Sequence, residues 1–167
     1  MTVQHSGGAL HRILIVDDNA AIHRDFQKVL SGKKSDGALA ALESELFGRS
    51  AAAGPHKEYL LSFAESGQSA LSLVQHAGKV RKPFSMAFVD MRMPGWDGIE
   101  TTTQLLRVQP TLEVAICSAY MDYSWHDVLQ RVQRTGLRLL RKPWTSGEVL
   151  AVVHELCARS SSARGPA

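Results

Sequence analysis

Three apolar runs each stop at a residue that carries chemistry: ILIVDDN ending at Asn19, AFVDMRMPGWDG from Ala87 to Gly98, and LLRKPW from Leu139 to Trp144. Short runs rich in branched side chains, bounded by polar or turn-forming residues, read as buried strands. They alternate with helical stretches, which points to βα units on a parallel sheet. Open sheets of this kind place their chemistry at the carboxyl ends of the strands. Two adjacent acids, one lone acid and one lysine therefore fall where a site belongs.

Five strands are expected, at Arg12 to Val16, Tyr59 to Phe63, Phe84 to Val89, Leu112 to Cys117 and Leu137 to Arg141. Helices fill the gaps. In the last one Val149, Val152, Val153 and Leu156 form a single stripe, with Ser146 as N-cap and an end near Ala158. A helix from Gly98 turns Ile99, Thr103 and Leu106 inward and stops before Pro110. Asp122 or Ser124 caps a helix containing Trp125, Val128, Leu129 and Val132.

At 167 residues with 44% hydrophobic content, the chain suits one compact domain. Its organisation reads as a flexible N-terminus over 1–11, a domain over 12–158 and a disordered tail over 159–167. The stretch 31–58 is too long for an ordinary return between a helix and the next strand. Leu39, Leu42, Leu46 and Phe47 make a short helical stripe inside it, so an inserted helical arm is expected. The bland account is a tolerated insertion, since longer loops add little closure entropy; a docking surface is the sharper one.

A net charge of +3 makes no demand for nucleic acid or an anionic membrane. Cys117 and Cys157 sit in apolar segments, as buried thiols do in a reducing compartment. No run approaches the roughly 18 apolar residues of a membrane span, and the first residues lack the pattern of a signal peptide. A cytoplasmic location is expected.

Three carboxylates meeting in one crevice repel each other unless a cation holds them. Asp17, Asp18 and Asp90 therefore imply a metal, and an all-oxygen set favours Mg²⁺ over zinc or copper. Asp90, mid-edge, is the natural nucleophile. Lys142 supplies a compact positive charge for a phosphoryl group, and Ser118 a hydroxyl donor. Each feature alone has a plainer explanation: an Asp pair caps a helix, a Lys-Pro pair makes a solvated turn, a Ser bonds locally. Four such positions on four strand ends are hard to obtain from packing alone.

ILIVDDN, FVDMRMPGWDG, ICSAY and LLRKPW resemble the signature segments of receiver domains from bacterial two-component response regulators, and the likeness covers about Arg12 to Ala158. It implies a doubly wound α/β fold of flavodoxin type with five parallel strands in the order 2-1-3-4-5. It implies Asp90 as the acceptor of a phosphoryl group from a histidine kinase or phosphotransfer protein. Asp18 and Asp90 would ligate Mg²⁺ directly, Asp17 through water, and the backbone carbonyl of Arg92 would complete the protein ligands. Ser118 matches the hydroxyl that moves toward the phosphoryl group, Ala119 the small residue beside it, and Lys142 the phosphate-pairing lysine.

The chain departs from that pattern at Leu139, where the family usually places a Tyr or Phe that turns inward on activation. Tyr120 and Trp144 are the alternative reporters. Arg92 and Tyr120 occupy positions that tune phosphoryl lifetime in the family. With no output module in the sequence, the expectation is a stand-alone receiver: a signalling switch rather than an enzyme, acting by contact with a downstream protein and without a DNA-binding module or membrane contact. Arg131, Arg134, Arg138 and Arg141 cluster on the fourth helix and fifth strand, a face the family uses with the fifth helix for output or homodimers. A solvated basic face is the plainer reading.

Two rivals stay open. One is a pseudo-receiver, a binding module that is not phosphorylated. The other is a Mg²⁺-dependent phosphatase or phosphotransferase, against which stands Arg92 where one phosphatase group needs a second acid. No GxxxxGK[ST] loop offers ATP a cradle.

Overall fold

A computed structural model describes residues 10–31, 59–119 and 124–163. The elements run β1 (His11–Val16), α1 (Ala20–Leu30), β2 (Tyr59–Ala64), α2 (Gly67–Lys79), β3 (Met86–Asp90), α3 (Gly98–Val108), β4 (Glu113–Ser118), α4 (Trp125–Val132), β5 (Arg138–Arg141) and α5 (Ser146–Ala163). All strands pair in parallel, in the order β2-β1-β3-β4-β5. The alternating pattern pointed to the parallel sheet, and the strand order is that of the doubly wound flavodoxin-like fold that the resemblance implies.

Strand side chains alternate between the two faces. Leu14, Val16, Val89, Val114 and Ile116 pack with residues of α2, α3 and α4. Ile13, Ile15, Phe88, Cys117 and Leu140 pack with Phe26 of α1 and with Val149, Val153 and Leu156 of α5. Being covered on both faces is why β1, β3 and β4 read as continuous apolar runs. The edge strand β2 has only β1 as a neighbour and stays half-buried.

Several local expectations are corrected. β1 begins at His11, which is buried and bonded through Nδ1 to Ser85 Oγ at 3.1 Å, so the N-terminal segment stops short of residue 11. Thr145, not Ser146, caps α5: its Oγ1 accepts from Glu148 N at 3.2 Å, and Glu148 Oε2 accepts from Thr145 N at 2.7 Å, a capping box. The α5 helix runs on to Ala163, so residues 159–163 are helical rather than disordered. Arg159 holds this last stretch by bonding Glu155 at 2.6 Å and Gly136 O at 2.8 Å, and Ser160 is buried. On α3 the buried line is Ile99, Thr102 and Leu105, with Thr103 and Leu106 only half-buried. Ser124 caps α4, accepting from Asp127 N at 3.2 Å. Residues 1–9, the arm over 32–58, Tyr120, Asp122 and residues 164–167 lie outside the described residues.

Candidate functional site

Strand order reverses at β1 and β3, and parallel sheets open a crevice beyond their carboxyl ends at such a point. Asp17 and Asp18 follow β1 directly, and Asp90 is the last residue of β3. Neither acid of the pair caps α1. Asn19 does so, its side chain accepting from Ala21 N at 2.9 Å, which leaves both carboxylates available to the crevice.

Carboxylate oxygens of Asp17, Asp18 and Asp90 lie within 4.8 Å of one another. Asp17 is buried, with Oδ1 accepting from Asn19 N at 2.8 Å, whereas Asp18 is exposed. Lys142, just past β5, bridges the group: Nζ donates to Asp17 Oδ2 at 3.0 Å and to Asp90 Oδ1 at 2.9 Å. Its backbone N–H donates to Ser118 O at 2.9 Å, which ties the lysine loop to the end of β4. Ser118 is buried and Ala119, next to it, is exposed.

Burial raises the Asp90 carboxyl above the usual range; the Lys142 hydrogen bond and charge oppose this, and the charges of Asp17 and Asp18 add to it. For Lys142 burial works toward a lower value, but hydrogen bonds to Asp90 and Asp17 outweigh it and the net direction is up. One ammonium thus faces three carboxylates. The surplus negative charge and the hard oxygen donors fit a divalent cation such as Mg²⁺.

The β3–α3 turn is shaped by a close approach that sequence reasoning missed. Gly98 N donates to Met91 O at 2.9 Å, and a Cβ on Gly98 would meet Asp90 O and Met91 Cα at 2.7 Å. Asp97 caps α3 by accepting from Glu100 N at 2.8 Å, and Gly95 turns the chain at φ +82°. The PGWDG run carried this signal as turn chemistry. The Lys142-Pro143 peptide bond is cis, and Trp144 beyond it packs on Phe26 with ring centroids 5.0 Å apart and planes tilted by 43°. Beside the carboxylates a cleft of about 500 Å³ is lined by Ile22, Asp25, Ala119, Lys142, Pro143 and Trp144.

Leu139 is half-buried on β5. The basic cluster is partly neutralised within the chain. Arg138 bonds Glu155, Arg134 bonds Pro110 O and lies 3.9 Å from Glu113, and Arg159 lies 3.7 Å from Glu113.

The family model for the response regulator receiver domain matches residues 49–154. A response regulator receiver protein from Anaeromyxobacter sp. (strain Fw109-5) is 33% identical over 135 residues, covering 80% of this chain; the chain spans only 43% of that relative. Among solved structures, the signal receiver domain of an HD domain-containing protein from Pseudomonas fluorescens Pf-5 superposes with TM-score 0.69 at 18% identity, over 97% of each chain. A CheY-like receiver domain protein from Methanospirillum hungatei JF-1 gives 0.64 at 19%, over 92% of this chain and 98% of its own. CheY of Borrelia burgdorferi, solved in a CheX-CheY-BeF3-Mg complex, gives 0.63 at 16%, over 87% of this chain and 88% of its own.

The chain belongs to the response regulator receiver family. It is the receiver domain of a two-component response regulator, a class that works as a signalling switch and binds Mg²⁺ in an acidic pocket. The family match begins beyond Asp17 and Asp18, which reach the site because β1 lies between β2 and β3. No helix among the described residues is long and apolar enough to cross a membrane.

Proposed function

We propose that this receiver accepts a phosphoryl group on Asp90 from a histidine kinase or phosphotransfer protein and signals by protein contact. The observation that carries the reading is Lys142 Nζ held at 2.9 Å from Asp90 and 3.0 Å from Asp17, with Asp18 alongside. A carboxylate oxygen of Asp90 attacks phosphorus, the bond from phosphorus to the donor nitrogen breaks, and its electron pair stays on that nitrogen. Lys142 places its charge beside the oxygens being transferred, and the Ser118 hydroxyl donates to one of them.

Asp18 and Asp90 would hold Mg²⁺ directly, with Asp17 acting through water and the Arg92 carbonyl as a further ligand. The exposure of Asp18 and the occupied hydrogen bonds of Asp17 support that division. When bound, the ion neutralises the charge shared between the carboxylates and the phosphoryl oxygens. Ala119 leaves room beside the site, and Arg92 and Tyr120 set the access of water to it. A phosphoryl group adds about −1.5 to −2 charges, which the neighbouring loops and a partner then sense. The face formed by α4, β5 and α5 is the proposed surface for output or self-association, and the cytoplasm the proposed location.

Intact-protein mass spectrometry after incubation with Mg²⁺ and acetyl phosphate tests this. One phosphoryl addition is expected in the wild type and none in Asp90→Ala or without Mg²⁺. No addition to a protein that still binds Mg²⁺ would replace this reading with a phosphorylation-independent binding module.

A further inference from the structure

Lys142 is held from two sides. Its ammonium donates to Asp17 and Asp90, and the same Nζ lies 5.6 Å from the centre of the Trp144 ring. That separation is within the range of attraction between a cation and an aromatic face. The indole is itself braced: Trp144 packs at a tilt on Phe26 at 5.0 Å, and Phe26 likewise on Phe88 at 4.6 Å. Phe26 belongs to α1 and is fully buried, and Phe88 stands two residues before Asp90 on β3. The rings thus run from the lysine through α1 and back to the strand that carries the acid.

A lysine stem has four rotatable carbons, and an ammonium in water has many positions open to it. Contact with the Trp144 face narrows that set. Trp144 is half-buried and lines the 500 Å³ cleft together with Lys142 and with Ile22 and Asp25 of α1.

We propose that Trp144 is the positioning residue for Lys142, and that through this contact the indole reads the charge carried at Asp90. The second half rests on Asp90 receiving a phosphoryl group; the first half does not. More negative charge at Asp90 draws the ammonium toward it and weakens its hold on the ring. The indole then meets a different field while Phe26 keeps it seated.

The test uses a chain in which Trp144 is the single tryptophan, made with Trp96→Phe and Trp125→Phe and checked for native circular dichroism. Lys142→Met in that background should shift the indole emission with no phosphoryl donor present. Unchanged emission overturns the positioning role. In the otherwise native chain, Trp144→Leu should slow phosphoryl incorporation from acetyl phosphate about two- to fivefold, the weight of an exposed or half-exposed cation–π contact, whereas Trp144→Phe should stay within about twofold. Equal rates in both variants overturn it as well. Phosphorylation seen by mass with no change in Trp144 emission overturns the reading of charge. If no variant, nor the wild type, gains a phosphoryl group, the role assigned to Asp90 falls and the reading of charge with it. The Lys142→Met arm still decides whether Trp144 positions the lysine.

Discussion

Asp90 ends an apolar strand, and the surroundings that fit it for chemistry also make its charge costly. Burial raises its carboxyl above the ordinary range despite the Lys142 partner. Relative to the unfolded chain the fold thus disfavours the ionised form, so this group's contribution to stability falls as pH rises from its unfolded to its folded pKa. Asp90→Asn should stabilise the metal-free protein at neutral pH by about 0.5–2 kcal/mol, the range of a single stabilising substitution that gives up function. Urea denaturation in a chelator should show that gain shrinking as the solution is acidified through the folded pKa; a gain that grows in acid would contradict the assignment. Glu155 behaves in the opposite sense. The Arg138 hydrogen bond holds it below the usual carboxylate range, so its stabilising effect is present above the unfolded pKa and is lost as pH falls through the folded one. Because the pair is half-exposed, Glu155→Gln should cost no more than about 1 kcal/mol at neutral pH and nothing in strong acid, as thermal melts across pH would show.

Among the elements, the packing of α3 against the end of β3 governs where Asp90 points. A methyl group at Gly98 would meet backbone atoms of Asp90 and Met91 at 2.7 Å, and backbone cannot step aside as a side-chain tip can. Gly98→Ala should destabilise the domain by about 1–3 kcal/mol and impair phosphoryl acceptance at Asp90 as well, which denaturation and mass spectrometry measure separately. Thr145 has a narrower role. It closes a capping box with Glu148 at the start of α5, and Thr145→Ala should cost about 1 kcal/mol with phosphoryl acceptance retained. The helix was legible in sequence, since Val149, Val153 and Leu156 are buried and Val152 half-buried against the same core, as their spacing required. Its ends were not. Ser146 and Thr145 are both good caps, and Glu148 decides between them, because it stands three residues after Thr145 and closes the reciprocal pair of hydrogen bonds there. The far end extends to Ala163; the Glu155–Arg159 pair is a local i,i+4 pattern, but the bond from Arg159 to Gly136 O on a distant loop and the burial of Ser160 are not announced by one.

For the whole molecule, a cation held between β1 and β3 would tie two strand ends whose three carboxylates face only the one ammonium of Lys142. Saturating Mg²⁺ should raise the melting temperature, with about 2.7 kcal/mol available at a hundred times the dissociation constant. Asp18→Asn should abolish most of that shift with little change in the metal-free melt, because Asp18 is exposed. Alternation of apolar strands and amphipathic helices determined the five-stranded parallel sheet, since that pattern has few ways to bury both faces of its strands. Strand-end position likewise pointed to Asp17, Asp18, Asp90 and Lys142, whose charged groups meet in the fold, because carboxyl ends of parallel strands share one edge. Tertiary structure alone decided how those groups are joined. Lys142 spans Asp17 and Asp90, Asn19 takes the capping role that would have consumed an aspartate, and Trp144 reaches Phe26 and Phe88 across two other elements. Such pairings depend on angles between strands, loops and helices far apart in the chain, and periodicity within any one segment carries no record of them.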